Sequence, residues 1–427
     1  MGVDDPDAGL LVTNVRVFDG IGAEAVPGHV RVERDRIAEV VPGRPFPRGV
    51  PGSTRVLNGG GGTLIPGLTD AHVHLFAIGG TMAELQLAPT GTVYYQALAS
   101  ARDMLMRGFT TVRDMAGDTE PLRRVLDRGL FPGPRIYPSQ AAVSQTSGHG
   151  DFGAVHDTPT AFGGPQARTE QLGFTRVADG PARVLAAVRE QLRKGAAQIK
   201  LMAGGGVASD FDPLDVLQFT TAELEAAVAA AADWGTYVTA HVYTSDAVRR
   251  AVDAGVRCIE HGHLVDESTI RYLAEKGVWL STQPFEVDDH HYASPDSARK
   301  NREVCEGVAR TFGWALRHGV RLAFGTDLVF DPAKADRQID MLVRLGHHLS
   351  PVEALKLATS GNAELFRMSG RRDPYRAAPL GVVTPGAWAD FLVVDGDPTT
   401  DLSVLADPGR NLRLIVKGGV VHKDQLD

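Results

Sequence analysis

Apolar and polar residues alternate in three short runs near the start of the chain, LLVTNVRVFD, HVRVERDRIAEVV and TRVLNGGGGTLIPGL, with Gly, Pro and Asn between them. A period of two with β-branched residues marks half-buried strands. GVVTPGAWADFLVVDGD and LRLIVKGGVVH show the same texture near the end. Between about residues 64 and 370 the pattern changes, and short apolar runs alternate with stretches of helical period. TLIPGLTDAHVHL, FTTVRDM, PRIYPSQAA, AAQIKLM, TYVTAHVY, VRCIEHGHL, VWLSTQP and VRLAFGTDL read as eight strands. Helical stretches such as TVYYQALASARDMLMRG and TAELEAAVAAAADWG follow them, the second with a Thr cap and a Gly stop. Eight alternations predict an α/β fold, a (β/α)8 TIM barrel over residues 64–375, with a doubly wound open sheet as the structural alternative. The flanking β segments, 1–63 and 376–427, predict one small composite β-sandwich domain built from both chain ends. A Gly- and Pro-rich insertion near 145–180 is expected to form a lid.

Composition narrows the class of function. The chain has 427 residues, enough for a large domain plus a smaller one, and a formal net charge of −8 with no Lys/Arg run, which argues against a nucleic-acid partner. Two cysteines, Cys258 and Cys305, exclude a disulfide framework and leave His, Asp, Glu or Lys to hold any metal. No apolar run approaches the roughly 18–20 residues that span a bilayer, so no membrane association is expected. The N-terminus, MGVDDPDAG, is acidic and lacks a signal pattern, which makes a cytoplasmic location the expectation. Gly59–Gly62 and Gly204–Gly206 lack the spacing of a dinucleotide or phosphate loop, which weighs against a nucleotide-dependent enzyme. Gly59–Gly62 reads as a turn. Gly204–Gly206 directly follows the fourth strand, where glycine permits close approach of backbone or substrate.

Chemistry in such a barrel gathers at the C-terminal ends of the strands. His72 and His74 end the first strand, and alternation points both the same way. Lys200 lies in the fourth, His241 ends the fifth, His261 and His263 the sixth, and Asp327 the eighth. Each alone has an ordinary explanation: a satisfied polar residue, a snorkelling lysine, a turn aspartate. Together, at matching strand ends, they make a specific pattern.

The pieces PGLTDAHVH, IKLMAGGG, TAHVY, CIEHGH and AFGTD, with IPG before the His-x-His and ADFLVVDGDP near the end, resemble the metal-dependent amidohydrolase superfamily over nearly the whole chain. SQTSGHGDF, TAHVYT and IEHGHLVD are similar to its imidazolonepropionase-related subgroup, which holds Xaa-Pro dipeptidase-like carboxypeptidases and ochratoxin-hydrolysing amidases. The resemblance implies two divalent metal ions, zinc before manganese or cobalt. His72 and His74 would hold one and His241 and His261 the other, Lys200 would bridge them as a carbamate formed with carbon dioxide, and Asp327 would bind the first. It implies cleavage of the amide bond of a dipeptide or N-acyl amino acid by metal-bound hydroxide, with Asp327 passing the proton to the departing amine. Cyclic-amide hydrolysis is the alternative, and a barrel that binds without catalysis is opposed by the intact ligand set. Tyr243 and His149 are implied as substrate or transition-state contacts, and His263 as a support. The histidine pairs at 290–291 and 347–348 read as solvated. Arg113 and Arg176 are available for a substrate carboxylate, and a small-molecule amide substrate and a homo-oligomer complete the expectation.

Overall fold

The computed structural model describes residues 9–43, 52–209 and 211–426, so all of the acidic N-terminal stretch except Gly9 lies outside the described residues. Eight parallel barrel strands run in chain order: Leu68–Val73, Phe109–Asp114, Arg135–Pro138 continued by Ala142–Ser144, Ile199–Met202, Val238–Thr244, Cys258–Leu264, Trp279–Thr282 and Arg321–Phe324. The third strand, expected as one run, is two pieces, because Gln140 adopts a left-handed φ of 61° and breaks it. Its first piece pairs with the second strand and its second piece with the fourth. Asn362 closes the circle between the eighth and first strands. Its amide accepts from Phe324 N–H at 2.9 Å and donates to the carbonyls of Phe324 and Thr69.

The helices pack on the outside by simple periodicity. Pro181–Lys194 buries Val184, Ala187, Val188, Gln191 and Leu192, a single stripe at spacings of three and four. Proline opens this helix, and Gly195, at φ 110°, ends it. Each large aliphatic side chain so buried contributes roughly 1.5–3 kcal/mol of transfer free energy.

The two chain ends form one eight-stranded sheet. It runs Val420–Asp424, Leu412–Lys417, Phe391–Val394, Thr63–Pro66, Leu10–Val17, Val26–Glu33, Arg36–Pro42, and Arg55–Asn58 pairs beside Leu10–Val17. The sheet forks along Leu10–Val17, whose first half pairs with Arg55–Asn58 and whose end pairs with Thr63–Pro66, and it folds over a core that includes Val12, Val30, Leu64, Phe391 and Leu414. The expected first barrel strand is thus two strands. Thr63–Pro66 is antiparallel to Phe391–Val394 in the small sheet, and the barrel begins only at Leu68. Among the described residues no helix is long and apolar enough to cross a membrane.

Candidate active site

Six of the seven residues singled out at strand ends, all but His263, line one cleft at the C-terminal mouth of the barrel, together with His149 and Tyr243. His72 Nε2 and His74 Nε2 face each other at 3.2 Å, and Asp327 Oδ1 stands 3.2 Å from the first and 2.9 Å from the second. The rings of His241 and His261 lie 4.5 Å apart between centroids, and His261 lies 5.1 Å from His72. Lys200 is buried in the same cleft.

Backbone conformation aims these groups. Cys258 and Glu260 point into the barrel, so strict alternation would send His261 to the helix side. A left-handed φ of 73° turns it onto the site instead. Asp327 is also left-handed, at φ 51°, and its N–H donates to the His72 carbonyl at 2.8 Å. A non-glycine residue in this region costs about 1–3 kcal/mol, and such strain gathers at functional sites. Gly325 allows the eighth strand to reach the first, since a Cβ there would stand 2.5 Å from His72 Cβ.

A second layer fixes the imidazoles. His72 Nδ1 pairs with Glu260 Oε2 at 2.8 Å. Glu260 is gripped in turn by the fully buried Arg113, whose Nη2 donates to Oε1 at 2.7 Å, and by the Thr239 hydroxyl. His261 Nδ1 meets Gln283 Oε1 at 2.8 Å, and His241 Nε2 meets the Gly205 carbonyl at 3.1 Å. Asp70 accepts from His72 N–H, from the backbone and hydroxyl of Thr326, and from Gln338, tying the first strand to the loop that carries Asp327. His149 Nδ1 lies 2.6 Å from Ser209 Oγ and 3.4 Å from Asp212 Oδ2, and its ring stacks on His241 at 4.2 Å.

Charge and burial suit a cation. Burial lowers His74 to about 4 against the pull of Asp327, and it lowers His241 and His261 well below the usual imidazole range. All three are therefore neutral near pH 7, the form that ligates. Burial alone would raise Asp327, but His72 and then His74 hold its carboxylate well below the ordinary range. Glu260 is held low in the same way, chiefly by Arg113 and then His72. Burial lowers Lys200 to about 8, opposed by Glu260 and Asp327. With Nδ1 directed at Glu260 Oε2, His72 turns Nε2 to the cleft, and the ligand atoms of His72, His261 and Asp327 all lie within 4.8 Å of one another, a spacing that a metal ion would fit.

Gly204–Gly206 serves close approach. A Cβ on Gly206 would stand 2.0 Å from His149 Cε1 and Nδ1. Gly206→Ala is expected to push the His149 ring from its seat and lower kcat/KM by about 10- to 100-fold, with metal content unchanged. Steady-state kinetics alongside metal analysis of the variant check this, and full activity would remove His149 from the working site.

Several expectations need correction. Arg113 lies beneath the site, bound to Glu260, the Ala71 carbonyl and Tyr237, and Arg176 pairs with Glu190, so neither lines the cleft. His290 is not a solvated residue: its Nε2 contacts the Asp327 carbonyl at 3.1 Å and its ring stacks on Tyr292, which lines the cleft. His348 is half-buried, stacked on Phe312 at 4.7 Å, while His347 is exposed. His263 lies behind the site, against the Gln283 carbonyl and Thr282. Sequence reasoning missed Glu260, Asp70, Asp212 and Tyr292. A carboxylate inside a strand, as Glu260 and Asp70 both are, was the available signal.

A parallel barrel whose mouth gathers imidazoles and a carboxylate able to hold a metal ion has the design of a metal-dependent barrel enzyme. The chain belongs to the amidohydrolase family, whose model matches residues 63–421. It is 31% identical over 376 residues to ochratoxinase from Aspergillus niger, covering 84% of this chain and 75% of that one. It is 26% identical over 432 residues to imidazolonepropionase from Ectopseudomonas mendocina, covering 96% and 97%. Its fold is similar to that of a prolidase complexed with N-methylphosphonate-L-proline, at a TM-score of 0.89 and 34% identity over 98% of this chain and all of the other. The chain is thus a hydrolase of amide C–N bonds, of a family that is generally metal-dependent.

Proposed function

We propose that this protein is a binuclear amidohydrolase that cleaves a dipeptide or N-acyl amino acid at its amide bond. The observation that carries the reading is the convergence of His72, His74, Lys200, His241, His261 and Asp327 on one cleft, with His149 and Tyr243 beside them. His72 and His74 would hold one ion and His241 and His261 the other, with Asp327 on the first and Lys200 between them. Imidazole and oxygen donors without thiolate suit zinc. Burial favours the neutral amine of Lys200, the form whose nitrogen adds to carbon dioxide and sheds a proton to give a carbamate. When bound, the two ions supply an acidified water and polarise the substrate carbonyl.

The chain's own groups do the rest. The Asp327 carboxylate stays ionised, so it accepts the proton released from water and delivers it to the departing nitrogen, which cannot leave as an anion. Burial holds the Tyr243 phenol protonated, so it donates to the oxygen that gains charge. His149, anchored at Nδ1, presents its other ring edge to the same oxygen.

Similarity to a prolidase and an ochratoxinase supports a linear substrate, and similarity to an imidazolonepropionase supports a cyclic one. A panel of dipeptides, N-acyl amino acids and cyclic amides, assayed for amine release or ring opening with zinc-loaded enzyme, separates them. Cleavage of the linear substrates is expected. Turnover of the cyclic amides alone would move the enzyme to the second class.

A further inference from the structure

The cleft has two unlike walls. On the side of His241 stand His149 and Tyr243, the polar wall. On the side of His74 three phenylalanines meet. Phe152 and Phe174 lie 6.2 Å apart between centroids, Phe174 and Phe330 6.0 Å, and Phe152 and Phe330 6.5 Å. Two of these pairs stand edge to face, at 72° and 78°, a favoured aromatic packing. Phe174 also presents its ring to His74 at 6.1 Å. The three come from separate parts of the chain: two from the insertion and Phe330 from the loop after the eighth strand.

Phe330 adopts a left-handed φ of 56°, held by its N–H donating to the Ala77 carbonyl at 3.0 Å. For a bulky side chain this is an unfavourable conformation that persists only where the surroundings impose it. With His261 and Asp327 it makes three strained residues on the lining of a single cleft. Among the described residues that line it there is no arginine, and the sole lysine is Lys200. A charged substrate side chain against the phenyl wall would lose its water and gain no partner there, whereas an apolar one gains by burial.

Asp327 sets the direction. It lies three residues before Phe330 and 2.9 Å from His74, at the foot of the phenyl wall. On the reading that Asp327 protonates the departing amine, the leaving residue lies on this side and the acyl portion on the other. We infer that Phe152, Phe174 and Phe330 form the subsite for the leaving residue and select a bulky apolar or aromatic side chain over a small or charged one. The inference rests on the amide-hydrolysis reading for its direction, but the subsite itself can be tested without turnover.

Two measurements decide it. With zinc-loaded enzyme, kcat/KM is compared across N-acetyl amino acids and Gly-Xaa dipeptides ending in Phe, Leu, Ala, Asp or Lys, and across Xaa-Phe dipeptides varied on the acyl side. Phe and Leu are expected to exceed Ala by about 10- to 100-fold, and Asp and Lys by more. In Phe174→Ala, and separately in the less buried Phe152→Ala, the Phe-to-Ala ratio is expected to fall at least about fivefold. Binding of the free amino acids is then measured by calorimetry. L-Phe is expected to bind at least about tenfold more tightly than L-Ala, with the gap narrowed in the same variants. A preference governed by the acyl residue, or a Phe-to-Ala ratio unmoved in both folded variants, overturns the subsite. If no linear amide is turned over, the hydrolysis reading fails. Calorimetry still decides the subsite, because equal binding of L-Phe and L-Ala overturns it too.

Discussion

Asp327→Asn lowers kcat by at least about a thousand-fold while leaving the fold intact: this is the largest effect on activity the site leads us to expect. Asparagine keeps the shape of the side chain and an oxygen 2.9–3.2 Å from His74 and His72. It cannot accept a proton. Positioned acid–base groups contribute about 10²–10⁴-fold in rate, and here one carboxylate both takes and returns the proton. The pH profile sharpens the test. Asp327 is held well below the ordinary carboxylate range, so it stays ionised and able to accept a proton through mildly acidic pH. Activity is therefore expected to persist there until other groups titrate. Zinc content of the variant separates two roles: retained zinc with lost turnover assigns proton transfer, and lost zinc assigns ligation. Activity within about tenfold of the parent would sink both.

The second large effect is on stability. Arg113 is fully buried and donates to Glu260, Tyr237 and the Ala71 carbonyl. Arg113→Met leaves Glu260 charged and deprived of its counterion in the barrel interior, and breaking a buried pair from one side costs about 3–5 kcal/mol. Replacing both partners, Arg113→Met with Glu260→Leu, is expected to cost less than the single change, because no isolated charge remains. The double variant loses the carboxylate that orients His72, so its affinity for a metal ion is expected to fall although its stability recovers. Glu260 is held below its ordinary pKa, so its contribution is present above about pH 4.5 and is lost as pH falls through the lower folded value. Denaturant titration of the single and double variants at pH 7 and near pH 4 measures all of this. A single variant as stable as the parent would show that the pair does not hold the barrel.

What the sequence disclosed follows from physical range. His72 and His74 were legible because a strand's alternation is local, and Lys200 because a lysine inside an apolar run conflicts with its surroundings. The eight strand–helix units were legible because each helix carries its own period. The break at Gln140 was not, since one residue's φ leaves no mark on the hydrophobic pattern. Neither was the boundary after Pro66, where TLIPGLTDAHVHL reads as one apolar run although its two parts pair in different sheets. Arg113 looked available because its sequence neighbours say nothing of Glu260, 147 positions away. His290 looked solvated for the same reason: its partner, the Asp327 carbonyl, lies 37 residues on. Contacts made by closure of the barrel are the information a linear pattern lacks.

The small sheet bears on how the chain is made. Thr63–Pro66 leads within two residues into the strand that carries His72, yet its antiparallel partner is Phe391–Val394. During synthesis more than 300 residues emerge before that partner does. Over that interval Thr63–Pro66 stays unpaired on that edge, on a chain whose pairings are largely distant in sequence, a condition that slows folding and exposes it to aggregation. The first barrel strand thus follows directly on a segment whose place is fixed only when the last strands leave the ribosome. A chaperone that shields the nascent N-terminal third would act on yield rather than on the activity of each finished molecule.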